Sequence, residues 1–124
     1  MSRDGSVKLD FAGDERTFRL AYGELRELQE VCDAGPLHIL NALRSQTWRI
    51  EYVRETIRLG LIGGGMTPGE ALDKTRRYVE QLPDWAANSI VAALILSEAI
   101  LGHPDEQPGK PQAGAKKTRS RQTK

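Results

Sequence analysis

Apolar and polar side chains alternate near the start of the chain as Val7, Leu9, Phe11 and again as Phe18, Leu20, Tyr22, with Ala12-Gly13-Asp14-Glu15 between the two runs. A period of two places successive side chains on opposite faces of an extended segment, so the pattern predicts a β-hairpin. A lone hairpin is marginal in water, and its apolar face must lie on something else. From Tyr22 the period changes to three-to-four. Leu25, Leu28, Val31 and Cys32 make the stripe of a helix reaching about Asp33, where Ala34-Gly35-Pro36 stops it, glycine allowing a left-handed cap and proline blocking continuation. A second helix, over about 37–46, carries Leu37, Leu40 and Leu43 with Ile39 beside them. Trp48, Tyr52, Val53, Ile57 and Leu61 mark a third, which halts at Gly63-Gly64-Gly65.

Thr67-Pro68-Gly69-Glu70 is the clearest local signal, because threonine at the N-cap, proline at the first helical position and glutamate at the third suit the free amides of a new helix. Its stripe is Ala71, Leu72, Thr75, Tyr78, Val79 and Leu82. Pro83-Asp84 precedes a last helix to about residue 101, in which Ile90-Val91-Ala92-Ala93-Leu94-Ile95-Leu96 is apolar around the whole circumference. Such a helix is expected at the centre of the domain, enclosed by the others. The competing expectation leaves one side, Trp85, Leu96 and Ala99, open to a partner helix. Trp48, Trp85 and Leu96 are the candidate partner-binding residues. The expected fold is α+β, mainly α: an N-terminal β-hairpin packed on a bundle of about five short helices over residues 1–102. Residues 103–124 hold three prolines and no large apolar side chain, and so predict a disordered basic tail.

A length of 124 residues with 39% hydrophobic content suits one core, and no run approaches the roughly 18 apolar residues of a membrane span. The N-terminus lacks the apolar segment of a secretory signal, so a soluble, cytoplasmic protein is expected. Net charge is +1, but it is unevenly placed: residues 1–102 carry 12 Lys and Arg against 15 Asp and Glu, and residues 103–124 carry 6 against 2.

The residues offer little chemistry. His38 and His103 are far apart in sequence and Cys32 is the single cysteine, so neither a metal site nor an internal disulfide is expected. A Cys32–His38 nucleophilic pair would have to span a helix break, and packing is the simpler role for both. Glu51/Glu55 and Glu27/Glu30 read as solvated carboxylates paired with Arg54, Arg58 and Arg26. Gly60-Leu61-Ile62-Gly63-Gly64-Gly65 is not followed by the Gly-Lys-Ser/Thr that a phosphate loop needs. A helix-turn-helix reading would send Lys74, Arg76 and Arg77 to DNA phosphates, but Glu70, Asp73 and Glu80 share that helix and the body is acidic. Weak nucleic-acid contact is left to the basic tail. No catalytic residue and no cofactor are expected.

Three stretches carry a resemblance: Phe18-Arg-Leu-Ala-Tyr-Gly-Glu-Leu-Arg-Glu-Leu-Gln-Glu, then Trp48-Arg-Ile-Glu-Tyr-Val-Arg-Glu-Thr-Ile-Arg-Leu-Gly-Leu-Ile-Gly-Gly-Gly-Met-Thr, and finally Ala71, Val79 and the Ala92–Gly102 helix end. With them the chain resembles the gene transfer agent family of small proteins, one of the groups of phage tail assembly chaperones. The resemblance implies a non-enzymatic protein from a phage, prophage or gene-transfer-agent tail cluster. It would bind the tape-measure protein, and with it tail tube subunits, and keep the tape-measure protein soluble in the bacterial cytoplasm until tube subunits polymerise around it; a homo-oligomer is left open. Two other roles stand beside it. One is a structural, tube-associated tail protein, although such proteins are normally β-rich; the other is a small helical DNA-binding regulator.

Overall fold

The computed structural model describes residues 4–102. Strands β1 (Val7–Phe11) and β2 (Asp14–Phe18) pair antiparallel with Val7 opposite Phe18 and Phe11 opposite Asp14. Ala12 and Gly13 join them at φ 57° and 80°, the positive angles that a tight two-residue hairpin turn demands. The second strand thus starts at Asp14 and ends at Phe18, ahead of the alternating Phe18, Leu20, Tyr22. Leu20 is buried in the connection and Tyr22 is exposed at the start of α1, so their spacing reflects two separate environments rather than one strand.

Helix α1 (Tyr22–Cys32) is capped by Glu24, whose carboxylate accepts the Ala21 amide at 2.9 Å. It ends on Asp33 in the left-handed region at φ 51°, not on Gly35. Gly35 is extended and serves as N-cap of α2 (Pro36–Ser45), with Pro36 opening that helix. The left-handed residue is needed directly after Cys32, and aspartate tolerates that conformation better than most side chains. Helix α3 (Ile50–Gly63) begins after Trp48. Helix α4 (Pro68–Thr75) starts as the sequence predicts, the Thr67 hydroxyl accepting the Glu70 amide at 3.3 Å. One turn of π-helix, Arg76–Glu80, extends it before α5 (Trp85–Leu101). The fold is α+β and mainly α, a hairpin on five helices; the disorder expected over 103–124 lies outside the described residues.

The enclosed helix is α3, not α5. Helices α1, α4 and α5 and strand β2 pack around α3, which buries Val53, Thr56, Ile57, Leu59 and Leu61 completely or nearly so. Its glycines set how close the neighbours come. A β-carbon on Gly63 would stand 1.8 Å from the Arg19 carbonyl oxygen, and one on Gly64 would stand 1.9 Å from that of Thr17. The Arg19 amide also donates to the Gly60 carbonyl at 3.0 Å. The glycine-rich end of α3 is therefore the seat on which the exit of β2 rests, besides being a helix stop. Helix α5 packs on α2, α3 and β1 and leaves its remaining side open.

Candidate functional site

The chemically reactive side chains are committed to structure. Cys32 is buried, its sulfur 3.6 Å from the Glu51 carbonyl that it donates to, and burial followed by the charges of Glu55 and Glu51 pushes its thiol up to about 12. A thiol that stays protonated is not a nucleophile. His38 is exposed and sets its ring edge-on to Tyr52, with centroids 6.1 Å apart. No group of three or more His, Cys, Asp or Glu suited to a metal occurs among the described residues.

Glu55, read from its helical position as a solvated carboxylate, is 2% exposed. It pairs with Arg58 at 2.6 Å and with Arg54; Arg58 reaches Glu27 of α1 at 3.4 Å, and Arg54 reaches Glu80 of the π turn. Burial pulls the Arg58 pKa down, but its hydrogen bonds to Glu55 and Glu27 and their charges outweigh that and leave it raised. This chain of five charges ties three elements together. Arg76 and Arg77 are exposed beside Glu80, and Arg77 lies over the Tyr78 ring at 6.0 Å.

What the surface leaves uncommitted is apolar. Trp48 and Trp85 stack on each other, centroids 6.2 Å apart and planes at 21°, each partly buried. They come together, as two of the three candidate partner-binding residues, but Leu96 does not join them. Leu96 is fully buried, and its place among the candidates is corrected to the core. Residues two apart lie about 200° around a helix. With Leu96 buried, Leu94 faces out and is 47% exposed.

The open side of α5 is Ala87, Ile90, Leu94 and Leu101, with the partly exposed Ser97 between the last two accepting a hydrogen bond from Arg44 of α2 at 3.3 Å, and together they are spaced three, four, three, four. Ile90, Leu94 and Leu101 are 58%, 47% and 59% exposed. That spacing is the seam by which a helix meets another helix lengthwise. The positions flanking it are Ala86, Val91, Ala93, Ile100 and Glu98, one charge among five. Beside its N-terminal half lies a shallow groove of about 280 Å³ floored by Phe11, Tyr78, Leu82, Ala87 and Val91. The π turn shapes that groove, because the Asn88 amide donates to the displaced Tyr78 carbonyl at 3.0 Å. Sequence reasoning detected the surplus of apolar residues in α5, but in a helix apolar around its circumference no local spacing distinguishes the outward ones.

Residues 4–102 match the family described as phage tail tube protein, GTA-gp10. No curated protein and no solved structure matches the chain.

Proposed function

The chain belongs to the phage tail tube protein, GTA-gp10, family, and from that premise we propose that it is a non-enzymatic, tube-associated component of a phage-type tail that acts by binding other tail proteins. The family match over residues 4–102 carries this reading. The exposed apolar residues Ile90, Leu94 and Leu101 of α5 support a role in protein contact, since a contiguous exposed apolar surface is the usual mark of a docking face.

A second reading, the assembly chaperone that keeps the tape-measure protein soluble, is favoured by one observation: the fold is mainly helical, and among the described residues its two strands pair only with each other. An apolar helical stripe is what α5 is shaped to meet. Either role is exercised in the bacterial cytoplasm while tails are built. Among the described residues no helix is long and apolar enough to cross a membrane.

One experiment separates the readings. The tail gene cluster is expressed, finished tails are purified, and this chain is quantified in them by mass spectrometry against the tube subunit. Stoichiometric presence supports the tube-associated role. Absence from finished tails, with recovery bound to soluble tape-measure protein, supports the chaperone, and absence from both overturns a role in the tail.

A further inference from the structure

We propose that the groove beside the N-terminal half of α5 is a docking site for the chain's own residues 108–117, with Pro108 and Pro111 on its apolar floor and Lys110, Lys116 and Lys117 at its acidic rim. The floor joins Phe11 to Tyr78, rings edge to face with centroids 6.0 Å apart, and includes Leu82, which is 46% exposed. Asp10 and Asp84 stand on the rim, both exposed, and among the described residues neither belongs to an ion pair. Asp10 also lies directly opposite Glu15 in the hairpin. Like charges facing each other across a strand pair weaken it, and a cation beside them relieves the repulsion. The neighbouring cations do not supply that relief. Arg16 donates to the carbonyls of Phe11 and Ala12, Arg77 lies over the Tyr78 ring, and Lys8 makes no ion pair with Asp10.

The occupant follows from composition and from reach. From residue 108 onward the chain carries 6 Lys and Arg and no Asp or Glu, and it opens with Pro108-Gly109-Lys110-Pro111. In a polyproline helix of three residues per turn, prolines three apart fall on one edge, about 9 Å from each other, with the residues between them turned away. Such an edge is what aromatic-lined grooves accept, and because proline is already restricted the segment loses little freedom on docking. The distances agree. Gly102 to Pro108 is six steps of about 3.1 Å, or about 19 Å, and Leu101 back to Asn88 is 13 helical steps of about 1.5 Å, or about 20 Å. A chain that leaves α5 at Gly102 and doubles back along the helix therefore brings Pro108 to the groove and carries the lysines that follow to Asp84 and Asp10.

A segment too poor in apolar side chains to fold alone can still order on a surface to which it is tethered. The five residues 103–107 act as a short linker, which gives an effective concentration of order millimolar. A contact with a dissociation constant of about 1 mM between separate molecules would thus be about half filled within one. The docking itself is independent of the tail role; its consequence rests on that role, because the returning chain passes Leu101 and Leu94, so a partner that binds this side of α5 has to displace it.

A nitroxide attached at Ala113→Cys in the full chain tests the proposal, since Cys32 is buried and does not compete for the label. In the amide spectrum of the isotope-labelled protein, Ala12, Gly13, Asn88 and Val91 are expected to lose most of their intensity, and Glu30, on a helix that contributes nothing to the groove, is expected to keep it. Intensity should return at about 1 M NaCl, where the Debye length is about 3 Å, and in the Lys110→Glu, Lys116→Glu, Lys117→Glu variant, whose changes lie beyond the helices. Pro108→Gly with Pro111→Gly should restore it in part with every charge intact; no change there overturns the polyproline contact. Uniform loss along the chain, or no loss at the groove, overturns the docking. Mixing nitroxide-bearing chains with isotope-labelled chains that lack the nitroxide should leave the spectrum unchanged, and a loss at the groove as large as within one chain would place the occupant on a second copy and overturn the intramolecular contact.

Discussion

At Gly64 a single added carbon would fall 1.9 Å from the carbonyl oxygen of Thr17, a backbone atom that cannot swing aside. Gly64→Ala is expected to cost about 3 kcal/mol, the upper part of the range for overpacking, which for a domain of this size lowers Tm by roughly 15 °C. Gly69→Ala meets nothing within 4 Å and is the matched control, expected to leave Tm unchanged or slightly higher. Thermal unfolding followed by circular dichroism reads both. Cys32 makes the second prediction at this scale. Its thiol holds its proton to about 12 when folded, against an ordinary value of 9.0. The native state therefore binds that proton more tightly than the unfolded chain. The resulting stability is fully present below pH 9 and is lost as pH climbs from 9 towards 12. Alkylation at pH 8 should be slowed, relative to the unfolded chain, in proportion to the fraction of molecules that open around Cys32, and a Cys32→Ala chain should show a smaller loss of stability across that alkaline window.

The elements differ in how plainly the residues announce them. Thr67-Pro68-Gly69-Glu70 specifies the start of α4 because every group involved lies within one turn. The length of β2 was less legible, since Leu20 and Tyr22 continue a period of two although the chain has already left the sheet. The order of burial among helices was not legible at all. Helix α5 is the most apolar, yet α3 sits at the centre, because α3 and its cap carry the small Gly60, Gly63 and Gly64 on which β2 can rest, and its Glu55 pairs with Arg54 and Arg58, which reach on to the π turn and α1. Local spacing places Glu55 beside Arg58, but it does not show that the fold will close over the pair. Removing one partner of a buried ion pair leaves the others unmatched, so Glu55→Ala is expected to destabilise by about 3 kcal/mol. Urea denaturation should show the midpoint falling at unchanged slope; a loss under about 1 kcal/mol would mean that the pair is dispensable.

For the molecule as a whole, the spacing of apolar residues pointed to a mainly helical fold with an N-terminal hairpin, which the described residues have, and the resemblance carried by residues 18–30 and 48–67 pointed to the phage tail family that residues 4–102 match. Of the three candidate residues the fold brings Trp48 and Trp85 together and buries Leu96, because the rotation of α5 that turns Leu94 outward and Leu96 inward is set by packing on its neighbouring elements, which no local pattern encodes. The way the hairpin is seated has a kinetic consequence. Its strands hydrogen-bond to each other, and the joint to the helices is made by the glycine end of α3, by the packing of β1 on α5 and of Phe11 on Tyr78, and by the single backbone bond from Arg19 to Gly60, partners 41 positions apart in sequence. Such a flap can lift as a unit while the helices stay folded. Native-state hydrogen–deuterium exchange should then find the strand amides of residues 7–18 exchanging together, with one shared opening free energy well below that of α3, and each opening would briefly wet Phe18 and the side of α3 it covers.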